Sequence, residues 1–289
     1  MSAGVAIARI HELRNQPWPL WWRQVRAVLR LDLKKNFLTR RGAWIYLLAF
    51  APVAIIGAHA LESPGGIRCN IEEDTRILAA IVELFYVRLA IFFGCMGIFT
   101  WLFRGEVVER TLHYYFLTPM RRELLVIGKF LAGAITGATL FGAGVLASFT
   151  LMYAHFGPAG RAYVFDGPGL AQIGAYLLTV VLACLGFGSM FVALSLIFRN
   201  PIVPGALLLG WETISSVLPA TLQKLTVTFY LKQLAPVDVP KDGLLALFTV
   251  VTEPIAPWVA VFGLLCLTVA VLAYACIRIR HIEISYTSD

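Results

Sequence analysis

The residues that could do chemistry in this chain are few, and most stand where they cannot combine. Five histidines are scattered among loops and hydrophobic runs, with no HExxH and no His and carboxylate at helical spacing to gather them around a metal. Gly128-Lys129 comes nearest to a phosphate loop. It lacks the upstream glycine, is followed by Phe130 where Ser or Thr would be needed, and opens an apolar run. No GxSxG marks a nucleophile. The expectation is a chain with no catalytic residues, no metal and no ATP site of its own, and therefore no enzyme in itself. What stands out is three charged groups inside hydrophobic runs: Glu83, Arg88 and Glu212. Ionisable groups at membrane depth are costly and mark either buried pairs or a transport pathway. Glu83 and Arg88 are five positions apart, about 140° around an α-helix, so each is expected to find its partner elsewhere, in structural pairing or in substrate contact. Glu212, beside Trp211, is expected either to line a subunit interface or pathway or to be a protonated, packed carboxyl.

The elements that must carry these groups are membrane helices. The chain has 289 residues, is 59% hydrophobic and only 14% charged, and has a mean hydropathy of +0.77. Its apolar runs suit spans of about 20 residues across a hydrocarbon core of roughly 30 Å, where the backbone must satisfy its own hydrogen bonds. The sequence predicts an all-α integral membrane protein with six transmembrane helices, approximately Ala43–Leu61, Leu78–Phe103, Leu124–His155, Gly169–Phe198, Pro201–Leu222 and Pro257–Ile277.

Lys and Arg set the expected orientation, because basic loops stay on the cytoplasmic side. Nine cations precede Ala43, from Arg9 to Arg41, and Arg104, Arg110, Arg121, Arg122 and Lys129 follow the second run. Arg199, Arg278 and Arg280 fall on the same side. Both termini are therefore expected in the cytoplasm, in a multi-pass protein of the cell's inner (plasma) membrane. The net charge of +7 is accounted for by this topology and by anionic lipid, without nucleic acid.

Residues 1–42 are too charged for a secretory signal and are expected to remain as a cytosolic N-terminus. Within them Trp22, Val25, Leu29, Leu33 and Phe37 fall on one helical stripe beside Arg23, Arg26, Arg30 and Lys34. With Trp18 and Trp21, this reads as an amphipathic interfacial helix on the cytoplasmic leaflet; the competing reading is a basic helix docked on a partner. Cys95, Cys184, Cys266 and Cys276 lie in or at the ends of spans and Cys69 stands outside, so no disulfide framework is expected.

Between the second and third runs lies a charged, turn-containing island, RGEVVERTLHYYFLTPMRRELLVIGK, from Arg104 to Lys129. Glu106 and Glu109 open it, Thr111-Leu112 and Leu117-Thr118-Pro119 follow, then Arg121-Arg122, Glu123-Leu124 and Gly128-Lys129. In order and spacing this resembles the first coupling region of the ABC type-2 membrane permeases, with Arg110 where that family commonly has Gly. The resemblance covers about 25 residues; elsewhere only the layout agrees. It implies one half of a homodimeric or heterodimeric permease, driven by a separate ABC ATPase subunit that carries ATP and magnesium and docks on residues 104–124. It also implies an exporter of a hydrophobic or amphipathic substrate.

The residues support such a contact independently. Val107 to Leu117 can form a short cytosolic helix that Thr118-Pro119 ends, and Tyr114, Tyr115 and Phe116 favour burial in a partner's cleft or at the interface. The other reading lays the island on the protein's own surface. Residues 221–257 mix apolar stretches with prolines and charges and are expected to form an outer re-entrant segment or a solvated loop, and 278–289 a cytosolic tail. Gly133, Gly137, Ala138 and Gly142, with Gly186 and Gly188, mark close helix approach. A function from a different class stays open: a non-transporting membrane scaffold whose island binds another cytosolic protein.

Overall fold

The computed structural model describes residues 17–38, 42–62, 70–106, 115, 117, 120–198, 200, 202–214, 219–237 and 255–281. Among them there are helices and turns and no strand. In chain order, α1 is Trp18–Leu38 and α2 is Ala43–Glu62. The long helix α3 is continuous but not uniform: it is α-helical over Ile71–Ala80 and Ile91–Thr100, and π-helical over Ile81–Ala90 and Trp101–Gly105. Then come α4 (Arg122–Ala154), α5 (Pro158–Phe165), α6 (Gly169–Ile197), α7 (Ile202–Ile214), α8 (Ala220–Gln223), α9 (Val227–Lys232) and α10 (Pro257–Arg280).

Five of these helices, α2, α3, α4, α6 and α10, are long and apolar enough to cross a membrane. α7 has 13 residues, about 20 Å at 1.5 Å per residue, and falls short of a roughly 30 Å core. The helix ends follow local chemistry. Asn70 caps α3 by accepting from Glu72 N at 3.0 Å, with Glu72, Glu73 and Asp74 in the first turn to meet the positive end of the dipole. Pro257 opens α10, where a missing N–H costs nothing.

The core is built around α4 and α6, two-thirds of whose apolar windows are buried, against about a fifth for α2 and α10 on the flanks. Small residues let these helices close up. The Phe99 ring fills the space a side chain would occupy at both Gly133 and Gly188, locking α3 between α4 and α6. Gly137 faces Cys184, and Gly186 faces Val227 and Leu264. At Gly144 the α2 backbone itself approaches, through the Ala49 carbonyl, which also accepts from the Tyr86 hydroxyl at 2.9 Å. Gly133, Gly137, Gly186 and Gly188, singled out in the sequence, are thus packing positions.

α1 does not lie apart from this bundle. Its buried ridge is Val25, Val28 and Asp32, and Val28 packs onto Gly128 of α4. Of the apolar stripe read from the sequence, Val25 is buried, Leu29 and Leu33 are half-buried, and Trp22 and Phe37 are exposed. Periodicity located the helix, and Asp32, which was not singled out in the sequence, belongs to its buried face.

Candidate functional site: two charged clusters in the bundle

Where the island leaves α3 and returns to α4, a charge cluster is sealed inside the protein. Lys129 Nζ donates to Glu106 Oε1 at 2.8 Å and to Asp32 Oδ2 at 3.2 Å, and all three side chains are buried. Lys35 approaches Glu106 Oε1 at 3.8 Å from the solvent side, so two carboxylates meet two ammonium groups. Burial pushes the carboxyls of Asp32 and Glu106 above their ordinary range, with Lys129 pulling the other way.

Tyr115, from the island, places its ring 5.2 Å from Lys129 Nζ and hydrogen-bonds with Glu106; burial and then the Glu106 charge raise its pKa. Arg121 stacks on Trp21 of α1, 4.4 Å from the ring centroid. Arg122 donates to the terminal Arg280 carbonyl of α10 at 3.2 Å, and Glu123 pairs with Arg280. The root of the island is thus fixed to α1, α3, α4 and α10 together.

Of the proposed coupling residues, the structure brings Glu106, Tyr115 and Arg121 against α1 and α4, and leaves Leu117 78% exposed. Glu109, Thr111, Leu112, Thr118 and Pro119 lie outside the described residues. On α1, Trp18 and Trp22 are exposed, Trp21 is half-buried under Arg121, Arg26 sits 5.7 Å from the Trp22 ring centroid, and Arg23 and Arg30 face solvent.

The second cluster lies near the middle of α3. Glu83 and Arg88 both line a cavity of about 30 Å³, with Tyr176, Thr228 and Lys232. Glu83 finds its partner elsewhere, as expected, but the two residues share one cavity because the helix is π-helical over Ile81–Ala90. Its i→i+5 bonding stacks residues five apart about one turn above each other, whereas α-helical geometry would separate them. Glu83 pairs with Lys232 at 3.6 Å, and Arg88 lies in the field of both Glu83 and Glu212.

Glu212 is buried and fully engaged at the start of α9. Its Oε1 accepts from Val227 N at 3.0 Å, and its Oε2 from Thr228 N at 2.9 Å and the Thr228 hydroxyl at 2.6 Å. A carboxylate on the positive end of a short helix gains both hydrogen bonds and dipole stabilisation. Since Val227 packs against Gly186, near the middle of α6, Glu212 holds α9 deep between α6 and α10.

Asp32, Lys35, Thr228 and Lys232 were not singled out as site residues in the sequence, and Lys129 was read as an orienting cation and as half of a Gly-Lys pair. The chain matches no protein-family model and no curated protein.

Proposed function

We propose that this chain is the transmembrane permease subunit of an ATP-binding-cassette exporter, paired with a second permease copy or homologue and driven by a separate ATPase subunit. The observation that carries the reading is the buried Lys129–Glu106–Asp32 cluster at the root of the island. A coupling contact must transmit a push from a soluble partner into the membrane helices, and a flexible loop would dissipate it. Here the segment that resembles a coupling region is anchored to four helices by buried ion pairs, a cation–π contact and helix-end hydrogen bonds, while Leu117 is offered to solvent. Rigid-body displacement of the island would then move α1, α3 and α4 as a unit.

In this reading the chain is a multi-pass protein of the inner (plasma) membrane with both termini cytoplasmic, and α1 lies at the cytoplasmic lipid interface. The crossings number six, the fifth being the run Pro201–Leu222 that holds α7. α8 and α9 then form the re-entrant outer segment, supported by the seat of α9 at mid-depth on α6. The Glu83, Arg88 and Lys232 cavity, about 30 Å³ and large enough for a water, is a constriction beside the pathway that opens when the helices move. ATP and magnesium belong to the partner.

The test is purification of the chain in mild detergent with its neighbours, identification by mass spectrometry and an ATPase assay, for wild type and Leu117→Arg. The expected outcome is an ATPase that accompanies wild type and is lost from the variant. A stable partner without nucleotide-binding capacity, captured through the island, would move the assignment to a scaffold.

A further inference from the structure

At the end of the bundle away from the island, three helix ends converge on a group of side chains that neither the fold nor the transport reading uses. His59 lies in the last turn of α2, Asp74 in the first turn of α3, and His155 directly follows α4. One ligand atom from each lies within 4.8 Å of the others. His155 Nε2 is 3.5 Å and His59 Nε2 3.8 Å from Asp74 Oδ2.

These separations discriminate between two explanations. They exceed a normal N–H···O hydrogen bond of about 2.7–3.2 Å. Two ligands bound tetrahedrally to one zinc, each at about 2.0–2.1 Å, stand roughly 3.4 Å apart, close to what is seen. Burial points the same way. The side chains of Asp74 and His155 are 5% and 4% exposed, and Asp74 Oδ2 and both ring nitrogens of His155 have no hydrogen-bond partner among the described residues. A helix-dipole role would account for the position of Asp74 in the sequence but not for its turning inward onto two imidazoles. Buried polar atoms aimed at a common point call for a ligand that accepts all of their lone pairs, and two imidazoles with one carboxylate suit a borderline-soft divalent ion.

We propose that His59, Asp74 and His155 form a zinc site that staples the ends of α2, α3 and α4. His59, with 42% of its side chain exposed, gives the ion a route in and leaves the fourth position to water. Glu72 is paired with Arg76 at 3.2 Å, and exposed Glu73, beside Asp74, adds one negative charge near the site. The inference is independent of the transport reading, since it concerns only the ends of three packed helices.

The test uses the full chain, purified in detergent without a histidine tag, exchanged against zinc or cobalt, freed of excess metal and analysed by elemental mass spectrometry and visible absorption. Wild type is expected to retain one zinc per chain, and with cobalt to show the intense visible bands of a tetrahedral site. His155→Ala and Asp74→Asn should lose both signals. His59→Ala, at a partly exposed position that the fold tolerates, should weaken retention at least tenfold while eluting as wild type does. Zinc retention by wild type no greater than that of well-folded His59→Ala, or the absence of tetrahedral cobalt bands, would overturn the site.

Discussion

Lys129 Nζ lies 2.8 Å from Glu106 Oε1, joining the start of α4 to the end of α3 across the whole island with both side chains shut away from water. Removing the lysine leaves two buried carboxylates facing each other. Lys129→Met is expected to cost about 3–5 kcal/mol, the usual penalty for breaking a buried pair from one side. Asp32→Asn with Glu106→Gln in the same background should recover much of it. Thermal unfolding in detergent reads both, and additive losses would show that the three groups do not act together.

The same cluster gives a pH dependence with a definite sign. Burial holds the Asp32 and Glu106 carboxyls above their ordinary range in the folded protein. In the window above the ordinary carboxylate value the folded state binds protons that the unfolded chain has lost. Their contribution to stability is therefore present at low pH and declines as pH rises through that window, levelling above the folded pKa. Asp32→Asn removes one of these titrations, so its stability relative to wild type should improve as pH climbs from about 4 toward neutrality. A difference that stays constant or moves the other way contradicts the assignment.

Gly144 tests the closest helix approach. A methyl group there would run into the Ala49 carbonyl of α2, and backbone cannot swing aside as a side chain can. Gly144→Ala should lose about 1–3 kcal/mol. Gly174, with open space around it, is the control at which Ala should cost nothing measurable.

Glu212 is expected to matter through α9. Glu212→Ala strips three hydrogen bonds from the start of that helix and should cost roughly 2–4 kcal/mol, with Glu212→Gln losing less because its amide oxygen still accepts. Hydrogen exchange localises the effect: Val227–Lys232 should lose protection in Glu212→Ala while α4 keeps its own. Unchanged exchange in α9 would remove the anchoring role.

The membrane helices were legible because span length is imposed by the bilayer. Apolar runs near Ala43, Leu78, Leu124, Gly169 and Pro257 each became a long helix. The glycines were legible for a similar reason, since a residue without a side chain inside an apolar helix invites a neighbour such as Phe99.

What the sequence hid depends on partners far along the chain or on an uncommon backbone. Asp32 reads as one more charge on a basic helix until Lys129, 97 positions later, is brought against it. Glu83 and Arg88 read as opposed because α-helical spacing was assumed where the backbone is π-helical. His59, Asp74 and His155 come from three helices, at spacings that resemble no local metal motif.

The central claim is that the island engages an ATPase, and the most direct measurement places a photo-activated cross-linking residue at position 117 in the intact membrane. Leu117 is the exposed apolar residue beside the anchored Tyr115, so a docked partner would lie within reach of it. The account predicts one dominant adduct, with a protein that binds and hydrolyses ATP, and its loss when the island's root is loosened by Lys129→Met. Adducts confined to lipid, or to a protein with no nucleotide site, would contradict it.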